Sequence, residues 1–103
     1  MTEPGQLTFD DGLLLCPLCG DDYVHLNDVF VAGRPEGEDG PIKNVTVSNA
    51  GRVTEGDSVE FPSQQVGRRH SLALAGDCEH CGEGFAIEFR QHKGQTRVQV
   101  IRR

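Results

Sequence analysis

The chain has 103 residues, 16 of them acidic and 10 basic, for a net charge of −6; 36% are hydrophobic, with no Trp, one Tyr and four Cys. One domain fits this length, and its apolar supply is modest, so a crosslink or a metal is expected to supplement the core. No apolar run reaches the roughly 18 residues of a membrane-spanning helix, and the acidic balance argues against general nucleic-acid affinity.

Residues 1–12 are acidic and polar and read as a flexible tail. They lack the basic start and apolar centre of a signal peptide, so a reducing, cytoplasmic setting is expected, where paired cysteines serve as metal ligands rather than disulfides. Residues 13–20, LLLCPLCG, form a short apolar run entering a first cysteine turn. Residues 23–31, YVHLNDVFV, are β-branched and aromatic and read as a strand. Val24, Leu26 and Phe30 fall on one face of it, with Asp28 interrupting. Periodicity alone leaves a short helix open. Residues 33–41, GRPEGEDGP, have nothing to bury and read as a loop.

Residues 44–48, NVTVS, alternate as a strand does. Asn49-Ala50-Gly51 is a turn, and Arg52-Val53-Thr54 starts a return strand. A further turn over 55–58 leads to Val59-Glu60-Phe61, a third short strand, and residues 63–70 form a polar connection. Residues 71–75, SLALA, read as a strand feeding Cys78. The C-terminal segment is the clearest hairpin. Phe85, Ile87 and Phe89 share one face of 84–92, Val98 and Val100 share one face of 96–102, and Lys93-Gly94 supplies the turn. That turn sets Phe89 opposite Val98 and Ile87 opposite Val100. A one-residue slip would break the shared face.

The cysteines stand as Cys16-Pro17-Leu18-Cys19-Gly20 and, 58 residues further on, Cys78-Glu79-His80-Cys81-Gly82. Two intervening residues let both thiolates of a tight turn point at one cation. Turn amides can then donate to the sulfurs, and glycine after the second cysteine permits a backbone conformation that a Cβ penalises. Four thiolates suit zinc in a closed structural site. The 58-residue separation requires an insertion, about 33–70, that returns to its start.

CPLCG at 16–20, CEHCG at 78–82 and the hairpin after the second knuckle resemble the zinc ribbon family, over less than half of the chain. The resemblance implies one structural Zn2+ on Cys16, Cys19, Cys78 and Cys81, and contacts with proteins or nucleic acids. Arg-rich, Lys-poor usage also resembles small proteins of GC-rich bacteria and their phages. A rubredoxin-like iron centre is the other chemistry open to four thiolates, although rubredoxin-type chains are shorter and richer in aromatics.

Among the histidines, His80 sits inside the second knuckle and is expected at the surface. His25, His70 and His92 show no ligand spacing. No GxSxG, P-loop, HExxH or GxGxxG motif is present, and the deaminase pattern is absent. Asp21 and Asp22 fit a polar loop. A zinc bound by four thiolates leaves no open position for water or substrate. The expectation is a non-enzymatic module without a small-molecule substrate.

Charge is uneven. Residues 1–61 hold three basic and twelve acidic side chains, whereas residues 62–103 hold seven basic and four acidic. Arg68, Arg69, Arg90, Lys93, Arg97, Arg102 and Arg103 form a candidate basic face toward an anionic partner, with a solvated surface as the plain alternative. Arg90 and Arg97 are expected directly opposite each other, a repulsive pairing that an anionic partner or Glu88 would relieve. Few aromatics accompany these residues, so stacking on single strands is poorly supported.

The sequence thus predicts a mainly β fold: a zinc ribbon with an inserted β meander between the two knuckles, residues 13–103 making one domain. Its expected partner is another protein, with nucleic acid as the alternative and no membrane.

Overall fold

The computed structural model describes residues 7–33, 43–56, 70–92 and 94–103, and these are built from strands alone. Six strands form one antiparallel sheet: β3 (Val24–Gly33), β4 (Lys43–Val47), β5 (Val53–Gly56), β6 (Ser71–Cys78), β7 (Gly84–His92) and β8 (Gln95–Arg102), in the spatial order β5-β4-β3-β6-β7-β8. A separate two-stranded ribbon, β1 (Phe9–Asp10) with β2 (Leu13–Leu14), precedes them. The inserted meander is therefore a lateral extension of the same sheet, carrying β4 and β5 outward from β3, while β6 returns to the other flank of β3. The expected strand at 59–61, the connection at 63–69 and most of the 33–41 loop lie outside the described residues.

The C-terminal hairpin has the register that its alternation predicts: Phe89 faces Val98, Ile87 faces Val100 and Arg90 faces Arg97. Across the whole sheet, Val53, Val47, Val29, Leu74, Ile87 and Val100 stand in one continuous cross-strand row. Its β6–β8 end is sealed. Phe85, Ile87 and Val100 are buried, and Leu7, Leu14, Leu18, Val24, Leu74 and Phe89 pack against them. The opposite face is thinner, with buried Phe30, Ala73, Ala75 and Ala86 contacted by Ile101.

Two expectations change. Val24, Leu26 and Phe30 do not share a face. The register of β3 against β6 shifts between Leu26 and Asp28, so Leu26 faces Gly76 while Asp28 faces Ala75. Asn27 is the extra residue of this β-bulge, and one extra residue inverts every later side chain. Val24 consequently joins the Phe85 cluster and Phe30 the Ala73 cluster. The bulge is fixed by side chains. Asn27 Nδ2 donates to Asp77 Oδ1 at 3.2 Å, and Asp28 Oδ1 accepts from the Asn49 amide at 2.8 Å. It also presses the backbone of β3 onto Gly76, where an added Cβ would run into the His25 carbonyl oxygen.

The second change is at the N-terminus, where residues 9–14 carry a paired ribbon that the alternation pattern does not signal. Asp11 (φ 49°) and Gly12 (φ 82°) make a two-residue turn with both central residues left-handed, the type I′ geometry that matches strand twist. Phe9 then faces Leu14, and the Leu15 amide donates to the Thr8 carbonyl at 2.9 Å. This ribbon lays Leu7 and Leu14 over the sealed end of the sheet.

Gly76→Ala is expected to destabilise the protein by about 1–3 kcal/mol, because overpacking at the bulge forces a backbone shift. Ser71→Ala should have the opposite sign: Ser71 Oγ is buried without a hydrogen-bond partner among the described residues, so its removal should raise stability by up to about 1 kcal/mol. Urea unfolding midpoints of the two variants measure both effects.

Candidate metal centre

Each CxxCG segment closes on itself as a turn. The Gly20 amide donates to the Cys16 carbonyl and the Gly82 amide to the Cys78 carbonyl, each at 2.9 Å. Both glycines have positive φ, 87° and 73°, so the exit from each turn needs a residue without a Cβ. The first knuckle lies between β2 and β3, and the second joins β6 to β7. Cys78 is paired with Val24 across the β3–β6 ladder. The Glu79 amide donates to the Tyr23 carbonyl at 3.0 Å and ties the second knuckle to the entry of β3. Strand pairing therefore delivers the two knuckles to one place despite their separation in sequence.

The four sulfurs all lie within 4.8 Å of one another. Cys16 and Cys81 sulfurs are 4.0 Å apart, and those of Cys19 and Cys78 are 3.5 Å apart. A tetrahedral ion with metal–sulfur bonds of about 2.3 Å sets its ligands about 3.8 Å apart, so these separations bracket what zinc requires. No disulfide joins them. The Leu18 amide points at Cys16 Sγ (3.4 Å) and the Cys81 amide at Cys78 Sγ (3.5 Å), which disperses thiolate charge. Cys16 and Cys78 are buried against the core, Cys81 is half-buried and Cys19 is exposed.

The electrostatics call for a cation. The Asp21 amide draws the Cys19 thiol down, but poor solvation and the three neighbouring sulfurs outweigh it and push the group up to about 12. At Cys81 the Glu83 amide lowers the pKa, and burial and the Cys78 sulfur outweigh it, so the net shift is upward. At Cys78 burial acts upward, while the Cys81 and His80 amides and neighbouring thiols prevail and lower it. Cys78 takes negative charge most readily, while Cys19 and Cys81 hold their protons. A divalent ion removes that restriction by neutralising the thiolates.

Elsewhere the expected residues divide. His80 is exposed within its knuckle. His25 makes a contact that the sequence does not signal, its Nε2 lying 3.1 Å from Glu79 Oε2; both groups are well exposed, so its energetic weight is small. Arg90 and Arg97 stand directly opposite each other as predicted. Glu88 is buried and accepts a hydrogen bond from Gln99 Nε2 at 3.1 Å. Arg102 and Arg103 end the same edge of the sheet, while Arg68, Arg69 and Lys93 lie outside the described residues. The sequence analysis missed the β1–β2 ribbon, whose Leu14 packs on the Phe85 cluster, and the Asp11-Gly12 dipeptide was its signal.

Comparison with protein-family models, with curated proteins and with solved structures finds no match. The class is therefore defined by the site and fold alone: a small all-β domain with a four-cysteine cluster able to chelate one metal ion.

Because Cys19 and Cys81 hold protons that a metal must displace, zinc uptake at neutral pH should release protons. Its apparent affinity should fall as pH is lowered. Titration calorimetry in buffers of different ionisation enthalpy counts the protons. Uptake without proton release would contradict the upward shifts.

Proposed function

We propose that the chain is a zinc-ribbon-like adaptor, in which Cys16, Cys19, Cys78 and Cys81 hold one structural zinc and the sheet beyond it binds another protein. The structural role is supported by one observation, the convergence of four cysteine sulfurs: four thiolates would complete the tetrahedral coordination of one ion and leave no position for a substrate. When bound, zinc supplies cross-linking and charge neutralisation, and the chain supplies the surface. Reduced thiols are required, which fits the cytoplasm.

Protein binding is supported by the valine-bearing face of the sheet, outside the cluster around Phe85. Val31, Val47, Val53 and Val98 are between 37% and 62% exposed there, an apolar band on a chain with a modest core. A nucleic-acid contact through Arg90 and Arg97 is the second reading, favoured by the basic C-terminal strands. The net charge of −6 weighs against it.

Metal analysis of the purified protein is expected to give one zinc per chain and no iron; one iron with visible absorbance would favour a redox carrier. Zinc contributes about 10–16 kcal/mol in small zinc domains, against a typical net stability of about 5–15 kcal/mol. Chelation, or Cys78→Ser, should therefore abolish cooperative unfolding, as monitored by near-UV circular dichroism. A chelated protein with unchanged thermal stability would contradict the structural role.

A further inference from the structure

The outer edge of β8 is a strand with no neighbour among the described residues, and its chemistry is one-sided. Residues 89–103 contain Arg90, Lys93, Arg97, Arg102 and Arg103 and no acidic residue. Arg97 is exposed and Arg90 half-buried, one directly across from the other. Neither forms an ion pair with another described residue. Like charges held opposite each other in a sheet are destabilising, so the bare edge carries a repulsion that a carboxylate beside Arg97 would remove.

Backbone direction is equally specific. The Arg103 amide donates to the Gly84 carbonyl at 3.0 Å. In an antiparallel pair, bonded and non-bonded positions alternate. Gln95, Arg97, Gln99 and Ile101 therefore bond inward to β7, and the backbone groups of Thr96, Val98 and Val100 point outward. The side chains alternate as well. Arg97 extends the row Ser71–Arg90 on one face, while Val98 extends the row Val45, Val31, Leu72 and Phe89 on the other. On the Val98 face lies an open groove of about 420 Å³, lined by Val31, Leu72, Phe89 and Thr96 among others.

We propose that β8 captures an extended acidic segment of a partner protein by strand addition, with acidic residues alternating with aliphatic ones. Its backbone bonds the outward groups of Val98 and Val100. Its carboxylates meet Arg97 and Arg90 on one face, and its aliphatic side chains continue the Val98 row and enter the groove on the other. Main-chain bonds supply affinity and the alternating side chains supply selectivity, as in other strand-addition complexes. The inference rests on the adaptor reading and assigns it a surface and a ligand chemistry. A protein strand is favoured over single-stranded nucleic acid because one face of the edge is aliphatic and, among the described residues, the groove beside it offers only the rings of Phe89 and His70 for stacking.

The test uses the zinc-loaded full chain and three synthetic probes blocked at both ends: a peptide alternating Glu and Val, its counterpart with Lys for Glu, and the Glu–Val peptide with alternate amides N-methylated. Oligo-dT is the fourth probe. The Glu–Val peptide should bind saturably, and the outward amides of Val98 and Val100 should gain protection from hydrogen exchange. The Lys and N-methylated peptides should bind at least about ten-fold more weakly, as should the Glu–Val peptide to Arg97→Gln. Arg97→Gln should keep a urea midpoint at or above the parent's, since it removes a repulsion. Val98→Pro is the second variant; it deletes an outward amide that β7 does not use and should also weaken binding.

No saturable binding by about 1 mM peptide, equal affinity for the N-methylated peptide, or an unchanged affinity of Arg97→Gln would overturn the proposal. So would tighter binding of oligo-dT than of the Glu–Val peptide. If Arg97→Gln and Val98→Pro retain a cellular protein cross-linked to the parent chain, the adaptor reading stands and β8 is not its surface. If the parent chain cross-links to no protein, the adaptor reading itself fails.

Discussion

The clamp between the two knuckles carries the architecture. Val24 and Cys78 are paired at one end of the β3–β6 ladder, and the four sulfurs gather beside that pair. Everything else is ordered from this point. β3 and β6 run away from the clamp, β4 and β5 add to the flank of β3, and β7 and β8 add to the flank of β6. Closing so long a loop is less costly than the separation suggests. Closure entropy grows logarithmically, so a loop of about 60 residues costs only about 1.2 kcal/mol more than one of about 15. A metal holding four thiolates outweighs that difference several-fold.

The bulge at Asn27 is the second organising feature, because it lets one strand serve two cores. Before it, β3 places Val24 with Phe85 beside the clamp. After it, Phe30 reaches the alanine face, and Val29 and Val31 take over the valine face. A regular strand carrying the same residues would put Val24 and Phe30 on one side. The alanine face suits its neighbours: Ala73, Ala75 and Ala86 leave room for the single large ring of Phe30. Gly76 has a different role. It is small because the bulged backbone of β3 passes directly over it.

Much of this was legible in the sequence, and the exceptions have identifiable causes. Strict alternation in 84–92 and 96–102, with a glycine between, fixes both faces and register, and the structure follows it pair by pair. The cysteine quartet was legible for a different reason: two identical spacings with none left over admit few chemistries. The bulge was not legible, since a bulge depends on a partner strand and Asp77 is 50 residues from Asn27. The β1–β2 ribbon carried a local turn signal, but strands of two residues offer no alternation to support it. The surroundings of Glu88 were also hidden. Its cross-strand neighbours, Ala73 and Gln99, come from strands β6 and β8, whereas its position in sequence beside Arg90 implied a simple charge pair.

The insertion departs after Gly33 and returns at His70, and these ends are close: Ala32 and Ser71 are direct partners, and a Cβ on Gly33 would lie 3.2 Å from His70 Nδ1. Exit and entry thus form a single port at the end of the β3–β6 ladder opposite the sulfurs. Between them the chain is also knitted to the sheet, since β4 pairs with Val29–Gly33 of β3 and the Asn49 amide bonds Asp28. The port and this seam together fix the position of β4 and β5, so changes of chain length belong in the connections on either side of them and leave the register of β6, β7 and β8 untouched.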